Sequence, residues 1–172
     1  MKTTTTVLAF FVASILAIPA GWAQKSDDQE HAELAKALRD AKISLQRGLT
    51  ASAKEGKPIS AKYEVEDGKL QLSVYTMKGS DKFSEVIVDH KTGKVAKAEP
   101  ITKADDLAHA KAQSEVIAKA KRSLDAAASE AVKENKGYRV VSVLPSLKDG
   151  HPVAEVALVK GTEWKTVDEK LD

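Results

Sequence analysis

Two Asp-Gly pairs, Asp67-Gly68 and Asp149-Gly150, stand 82 residues apart in a chain of 172, and each links stretches with the period of a β-strand. An Asp-Gly link between such stretches specifies a tight hairpin, because the turn needs positive φ and glycine takes it without steric cost. Before the first pair, Ile59, Ala61, Tyr63 and Val65 alternate with Ser60, Lys62, Glu64 and Glu66; after it, Leu70, Leu72 and Val74 keep the period. Clean alternation makes one face apolar and one wet, the mark of an antiparallel sheet covered on one side. A third strand is predicted over residues 83–89, a turn at Thr92-Gly93, and a short fourth strand over 94–98. The second set is predicted over 138–144, 153–159 and 164–167.

The correspondence extends beyond the hairpins. Lys78-Gly79 matches Lys160-Gly161 at the same offset of 82, while Phe83 matches Trp164 and Val86 matches Val167 at 81. Ala41-Lys42, Ser44-Leu45 and Lys54-Glu55 match Ala120-Lys121, Ser123-Leu124 and Lys133-Glu134 at 79. Offsets that drift only at turns are what duplication followed by loop insertion leaves. Two units of this length make a pair of modules, since a solenoid needs at least three.

Each set of strands follows a helical pattern. In the first, Ser26 and Gln29 fit a capping box, and Leu34, Leu38, Ala41, Leu45 and Leu49 form one apolar stripe. The helix is expected to end near Gly56, with Pro58 as a stop signal. In the second, Thr102 and Asp105 fit the cap, and Leu107, Ser114, Ile117, Leu124, Ala128 and Ala131 carry the stripe to residues 135–137. Such alanine-rich helices need a sheet to pack on, because propensity alone gives marginal stability in water. The expected fold is α+β: two tandem modules, each a long helix packed on one face of a three- to four-stranded antiparallel sheet.

The start of the chain sets the compartment. Lys2 is followed by threonines, then by twelve apolar or small residues from Val7 to Ile18, broken only by Ser14, and then by Pro19-Ala20-Gly21-Trp22-Ala23. This is the order of a secretory signal peptide cleaved after Ala23, and the apolar run is shorter than the roughly 20 residues a spanning helix needs. The expected organisation is a signal peptide over 1–23, one module over 24–100 and a second, degenerate module over 101–172. With Lys2 removed, the net charge falls from +2 to +1; a balanced surface of mixed charges gives no footprint for nucleic acid. The chain has no cysteine, which excludes disulfide stapling, thiolate zinc sites, thiol catalysis and a lipid-modified N-terminal cysteine. The mature protein is expected to be periplasmic or secreted, without a membrane anchor.

The order helix, strand, hairpin, strand, followed by Val88-Asp89-His90-Lys91-Thr92-Gly93-Lys94-Val95, resembles the PepSY domain, the peptidase propeptide-like family of bacterial envelope proteins. The resemblance covers residues 35–98. The second copy departs from it, since Val167-Asp168-Glu169-Lys170-Leu171 is not followed by a Thr-Gly turn. The resemblance implies a non-enzymatic extracytoplasmic module that restrains peptidases or binds proteins. It transfers no catalytic, cofactor-binding or metal-binding residue.

The candidate chemistry is sparse. His31, His90, His109 and His151 are far apart in sequence. Glu30 and Glu33 beside His31, or Asp105 and Asp106 beside His109, could share a helical face, but neither set offers a second imidazole, and zinc sites need three or four converging ligands. Glu64 and Glu66 share one strand face with Lys62, which reads as a solvated surface. No nucleophile elbow and no phosphate-cradling glycine loop occur. Phe83 and Trp164 are expected in the core, with one aromatic exposed as a partner anchor as the sharper reading. Tyr75 or Met77 at a sheet edge would suit an extended peptide. No enzyme activity, metal or cofactor is expected. The function expected is protein–protein contact, with an extracytoplasmic peptidase as the specific partner; the alternative is a periplasmic small-ligand or metal carrier using the concave sheet face.

Overall fold

A computed structural model describes residues 23–172, so the leader expected over 1–23 lies, apart from Ala23, outside the described residues. Both Asp-Gly links form two-residue turns with positive φ throughout, at Asp67 (49°), Gly68 (72°), Asp149 (52°) and Gly150 (81°). The first joins β1 (Lys57–Glu66) to β2 (Lys69–Lys78), and the second joins β5 (Arg139–Lys148) to β6 (His151–Lys160). With β3 (Lys82–Val88), β4 (Val95–Pro100) and β7 (Glu163–Lys170), they build one antiparallel sheet in the order β4-β3-β2-β1-β5-β6-β7. The halves meet at β1 and β5, where Ala61 pairs with Val143 and Lys62 with Ser142. Both strands carry a bulge at the same place, at Ile59 in β1 and Val141 in β5.

The helical segments differ from expectation. The first pattern is broken into α1 (Ala23–Ala37), a single 3-10 turn (Leu38–Asp40) and α2 (Leu45–Ser52). The second is broken into α3 (Ala104–Lys119) and α4 (Leu124–Glu134). The cause is local. Ser44 and Ser123 are extended, and their hydroxyls accept from the backbone N–H groups of Arg47 and Ala126 at 3.2 and 3.1 Å, starting a new helix in each case. Ser26 lies inside α1, and α3 is preceded by Lys103 without a side-chain cap, so neither expected capping pair starts a helix as drawn.

Each broken linker is stitched to the end of a strand. The N–H groups of Lys42 and Ile43 donate to the His90 carbonyl at 2.8 and 3.2 Å, and those of Lys121 and Arg122 donate to the Leu171 carbonyl at 2.6 and 2.9 Å. Arg139 holds the first linker from the other half: its guanidinium donates to the carbonyls of Leu38 (2.8 Å), Ala41 (3.3 Å) and Ile43, and lies 5.2 Å from the Tyr63 ring centroid. The Tyr63 hydroxyl donates to the same Ile43 carbonyl at 2.8 Å.

The sheet is covered on both faces, a second departure from the one-sided layer expected. Gly48 of α2 lies against Leu72, and Gln46 of α2 donates to the Ala128 carbonyl of α4, so α2 and α4 share the face bearing Tyr63, Leu72 and Val74. Gln113 of α3 instead accepts from the Ser60 hydroxyl at 2.7 Å. Ser60 pairs with Tyr75, which points opposite to Val74 because side chains alternate along a strand. Thus α3 packs on the reverse face, against β1, β5 and β6. Leu45, Leu49, Leu72, Val74, Val86, Ala127, Ala128, Val143, Val156 and Leu158 belong to one buried cluster spanning both halves. Full burial of each larger aliphatic side chain contributes about 1.5–3 kcal/mol.

Candidate functional site: a polar trough on the sheet

Because α3 packs over β1, β5 and β6, the same face of β3 and β4, with the Gln71 end of β2, is left open. The result is a trough of about 910 Å³, floored by Gln71, Glu85, Ile87, Lys97 and Glu99 and walled by Thr102, Lys103 and Asp106 at the start of α3. Strand register delivers the floor. Tyr75 pairs with Glu85 across β2 and β3, and Glu85 pairs with Glu99 across β3 and β4.

A chain of polar contacts runs from the edge of the trough under α3. Lys62 lies 2.6 Å from Glu64, and the Ser73 hydroxyl donates to the other Glu64 oxygen at 2.7 Å. Gln71 donates to Ser73 at 3.0 Å and to Glu66 at 2.9 Å. The Tyr75 hydroxyl, buried with the rest of its ring, donates to Glu85 at 3.2 Å. Burial pushes the Glu85 carboxyl above its ordinary value; the Ser73 hydroxyl works against this and the Glu64 charge adds to it. Burial likewise raises the Tyr75 hydroxyl, with the Glu85 and Glu64 charges adding to the effect. At neutral pH Tyr75 is therefore a donor. On the outer strand Lys97 and Glu99 pair at 2.8 Å in the open. The trough thus presents carboxylate acceptors and ammonium donors along a floor three strands wide, suited to the alternating polar groups of a polypeptide.

The Asp89 turn closes one end of the trough. The Asp89 carboxylate accepts from the N–H groups of Lys91 and Thr92 at 2.9 and 2.7 Å, and these bonds, Thr92 first, hold its pKa below the ordinary carboxylate range. The Gly93 N–H donates to the Asp89 carbonyl, and β4 re-enters the sheet two residues later. The aspartate followed by Thr-Gly is therefore a strand-closing device.

The sequence candidates do not converge. His31 is exposed on α1 and stacks on Trp164, with centroids 4.3 Å apart and planes 16° from parallel. His90 lies in the turn with its Nδ1 buried and without a hydrogen-bond partner. His109 is half-buried on α3, while His151 contacts Asp172 at 2.7 Å on the surface. Glu30, Glu33 and Asp105 are exposed, and Asp106 is buried. Among the described residues no group of three or more His, Cys, Asp or Glu side chains is placed to hold a metal ion. Phe83 is buried as expected, and Trp164 is half-buried. Tyr75 and Met77 lie on β2, an interior strand, so the expected sheet-edge position is wrong for both. Glu64, with 22% of its side chain exposed, is half-buried rather than fully solvated.

Sequence reasoning missed Glu85, Ser73 and Gln71. A signal for Glu85 was present: extending the hairpin about Lys78-Gly79 opposes residue 75 to residue 85. No family model matches the chain, and no curated protein matches it. A solved structure of a candidate lipoprotein from Clostridium difficile 630 is similar over 77% of this chain and 89% of that one, at 14% identity and a TM-score of 0.42. No helix among the described residues is long and apolar enough to cross a membrane.

Proposed function

We propose that this is an exported, non-enzymatic protein built from two PepSY-like modules, and that it works by holding a segment of a partner polypeptide, an extracytoplasmic peptidase being the specific partner proposed. The open trough over β2, β3 and β4 carries this reading. Its polar floor is broad and shallow, whereas small-molecule sites are concave and mostly apolar. It also borders β4, whose outer edge has no strand beside it among the described residues, and extended peptides dock beside such edges.

The duplication is supported by paired constructions: serine-capped helices at Ser44 and Ser123, stitched linkers at Lys42-Ile43 and Lys121-Arg122, bulges at Ile59 and Val141, and the two Asp-Gly turns. The first module spans residues 24–100 and the second 101–172.

The test is to add the purified protein to extracytoplasmic proteases of the source cell and measure residual activity and complex formation. Inhibition, or a complex, that is lost on Ile87→Arg within the trough supports the reading. Absence of both with every protease, or a complex indifferent to Ile87→Arg, refutes it.

A further inference from the structure

Away from the trough, the chain passes around the end of the sheet between α3 and α4 and leaves a cleft of about 390 Å³ against the end of α2. Its walls are apolar: Leu49, Pro58, Ile117 and Leu124 come from both halves. Its rim is cationic, with Lys57, Lys121 and Arg122 set against the single carboxylate of Asp125. Arg122 is committed, donating to the Lys170 carbonyl at 2.9 Å. Lys57 and Lys121 are exposed and form no salt bridge among the described residues. An apolar interior behind two uncommitted ammonium groups matches a molecule with one alkyl chain and one anionic end.

We propose that this junction cleft is a binding site for an amphipathic monoanion of the fatty-carboxylate class, the chain entering between Leu49 and Ile117 and the carboxylate meeting Lys57 and Lys121. The site is independent of the peptide reading of the trough. A ligand held by residues from both halves would tie them together. It would therefore raise the unfolding temperature by mass action.

The experiment titrates sodium decanoate into the purified protein by calorimetry, with decyltrimethylammonium as the same chain bearing the opposite charge. Decanoate is expected to bind and the cation to bind more weakly. Lys57→Glu combined with Lys121→Glu should weaken decanoate by about tenfold, the sum of several exposed-pair energies. Ala53→Trp, which fills the cleft from an exposed position, should abolish binding. Circular dichroism of each variant without ligand checks that the fold is kept. Absence of decanoate binding, equal binding by the charge-reversed variant, or tighter binding of the cation would overturn the proposal. So would binding only of a peptide ending in a leucine carboxylate, which would assign the cleft to a chain terminus.

Discussion

Gly48 of α2 lies directly against Leu72 of the sheet, and its replacement by alanine sets two effects of similar size against each other. A Cβ at position 48 would stand 2.5 Å from Leu72 Cδ2 and 3.2 Å from Leu72 Cγ. Leu72 has 0% of its surface exposed, so its methyl can retreat only by displacing other core atoms. Overpacking of this kind costs about 1–3 kcal/mol. Against that, alanine in a helix interior is about 1 kcal/mol better than glycine. The balance makes Gly48→Ala destabilising by about 1 kcal/mol, a fall in melting temperature of roughly 2–4 °C for a chain of this size. Under the proposed duplication the positions 79 and 82 residues on are Ala127 and Ala154, both fully buried. The second half carries alanine at both of these positions, where the first has glycine and leucine. Leu72→Ala alone should cost about 2–5 kcal/mol through its cavity. Combined with Gly48→Ala, the loss should fall short of the sum by about 1 kcal/mol, because the new methyl occupies space the leucine vacated. Urea unfolding of the four proteins measures the cycle. Stabilisation by Gly48→Ala together with strict additivity would show that Leu72 moves aside freely, and the close-packing argument would be wrong.

Ser44→Ala and Ser123→Ala should each cost about 1 kcal/mol in urea unfolding, since each removes the acceptor that caps a helix. Arg139→Lys should destabilise by about 3 kcal/mol or more, because one ammonium cannot reproduce a fork that serves three carbonyls, each such bond being worth about 1.5–3 kcal/mol; melting curves of the two proteins decide it. The raised Glu85 carboxyl means the folded state favours its protonated form. Its contribution to stability is complete below the ordinary carboxylate value and is lost as pH rises through the folded one. Stability measured between pH 4 and 8 should therefore fall with pH more in the native protein than in Glu85→Gln. Asp89 has the opposite sign: its contribution is present above the ordinary value and lost as pH falls through the lowered one. Asp89→Asn should remove that part of the acid slope, and a carboxyl NMR titration should find Asp89 below the usual aspartate range.

Much of the sheet was legible because its instructions are local. A two-residue Asp-Gly turn fixes register for the whole hairpin, and β1 with β2, like β5 with β6, pairs outward from it. The strands run longer than expected, β5 through Lys148 and β6 from His151, because backbone pairing continues into the turn after the apolar pattern fades. The helix breaks were harder to see. Ala41 and Ala120 fall in or beside the helical stripe, so periodicity runs straight through residues that are extended. The capping serines stood in the repeated segments, yet a serine inside an alanine-rich run reads as neutral. The second covered face was missed because its buried residues are polar or amphipathic. Ser60, Ser73 and Tyr75 are buried, and in a strand pattern they look like the wet side. Their burial is tolerable because hydrogen bonds are supplied by partners distant in sequence, such as Gln113.

That missed face creates the candidate site. Had residues 104–134 formed one helix, it would lie on one face, and the reverse of the sheet would be open from edge to edge. The break at Ser123 lets α4 stay beside α2 while α3 crosses to the other side, where it covers β1, β5 and β6 and stops short of β3 and β4. The wall of the trough at Thr102, Lys103 and Asp106 exists only while α3 is docked. A perturbation of that docking should therefore act on recognition at a distance. Gln113→Ala leaves the Ser60 hydroxyl, which is 0% exposed, without its acceptor, a loss of about 1–3 kcal/mol. Because Gln113 lies outside the trough, weaker partner binding in this variant, with β2 to β4 still protected in hydrogen exchange, would trace recognition to the placement of α3. Unchanged binding alongside accelerated exchange in α3 would show that the floor alone suffices.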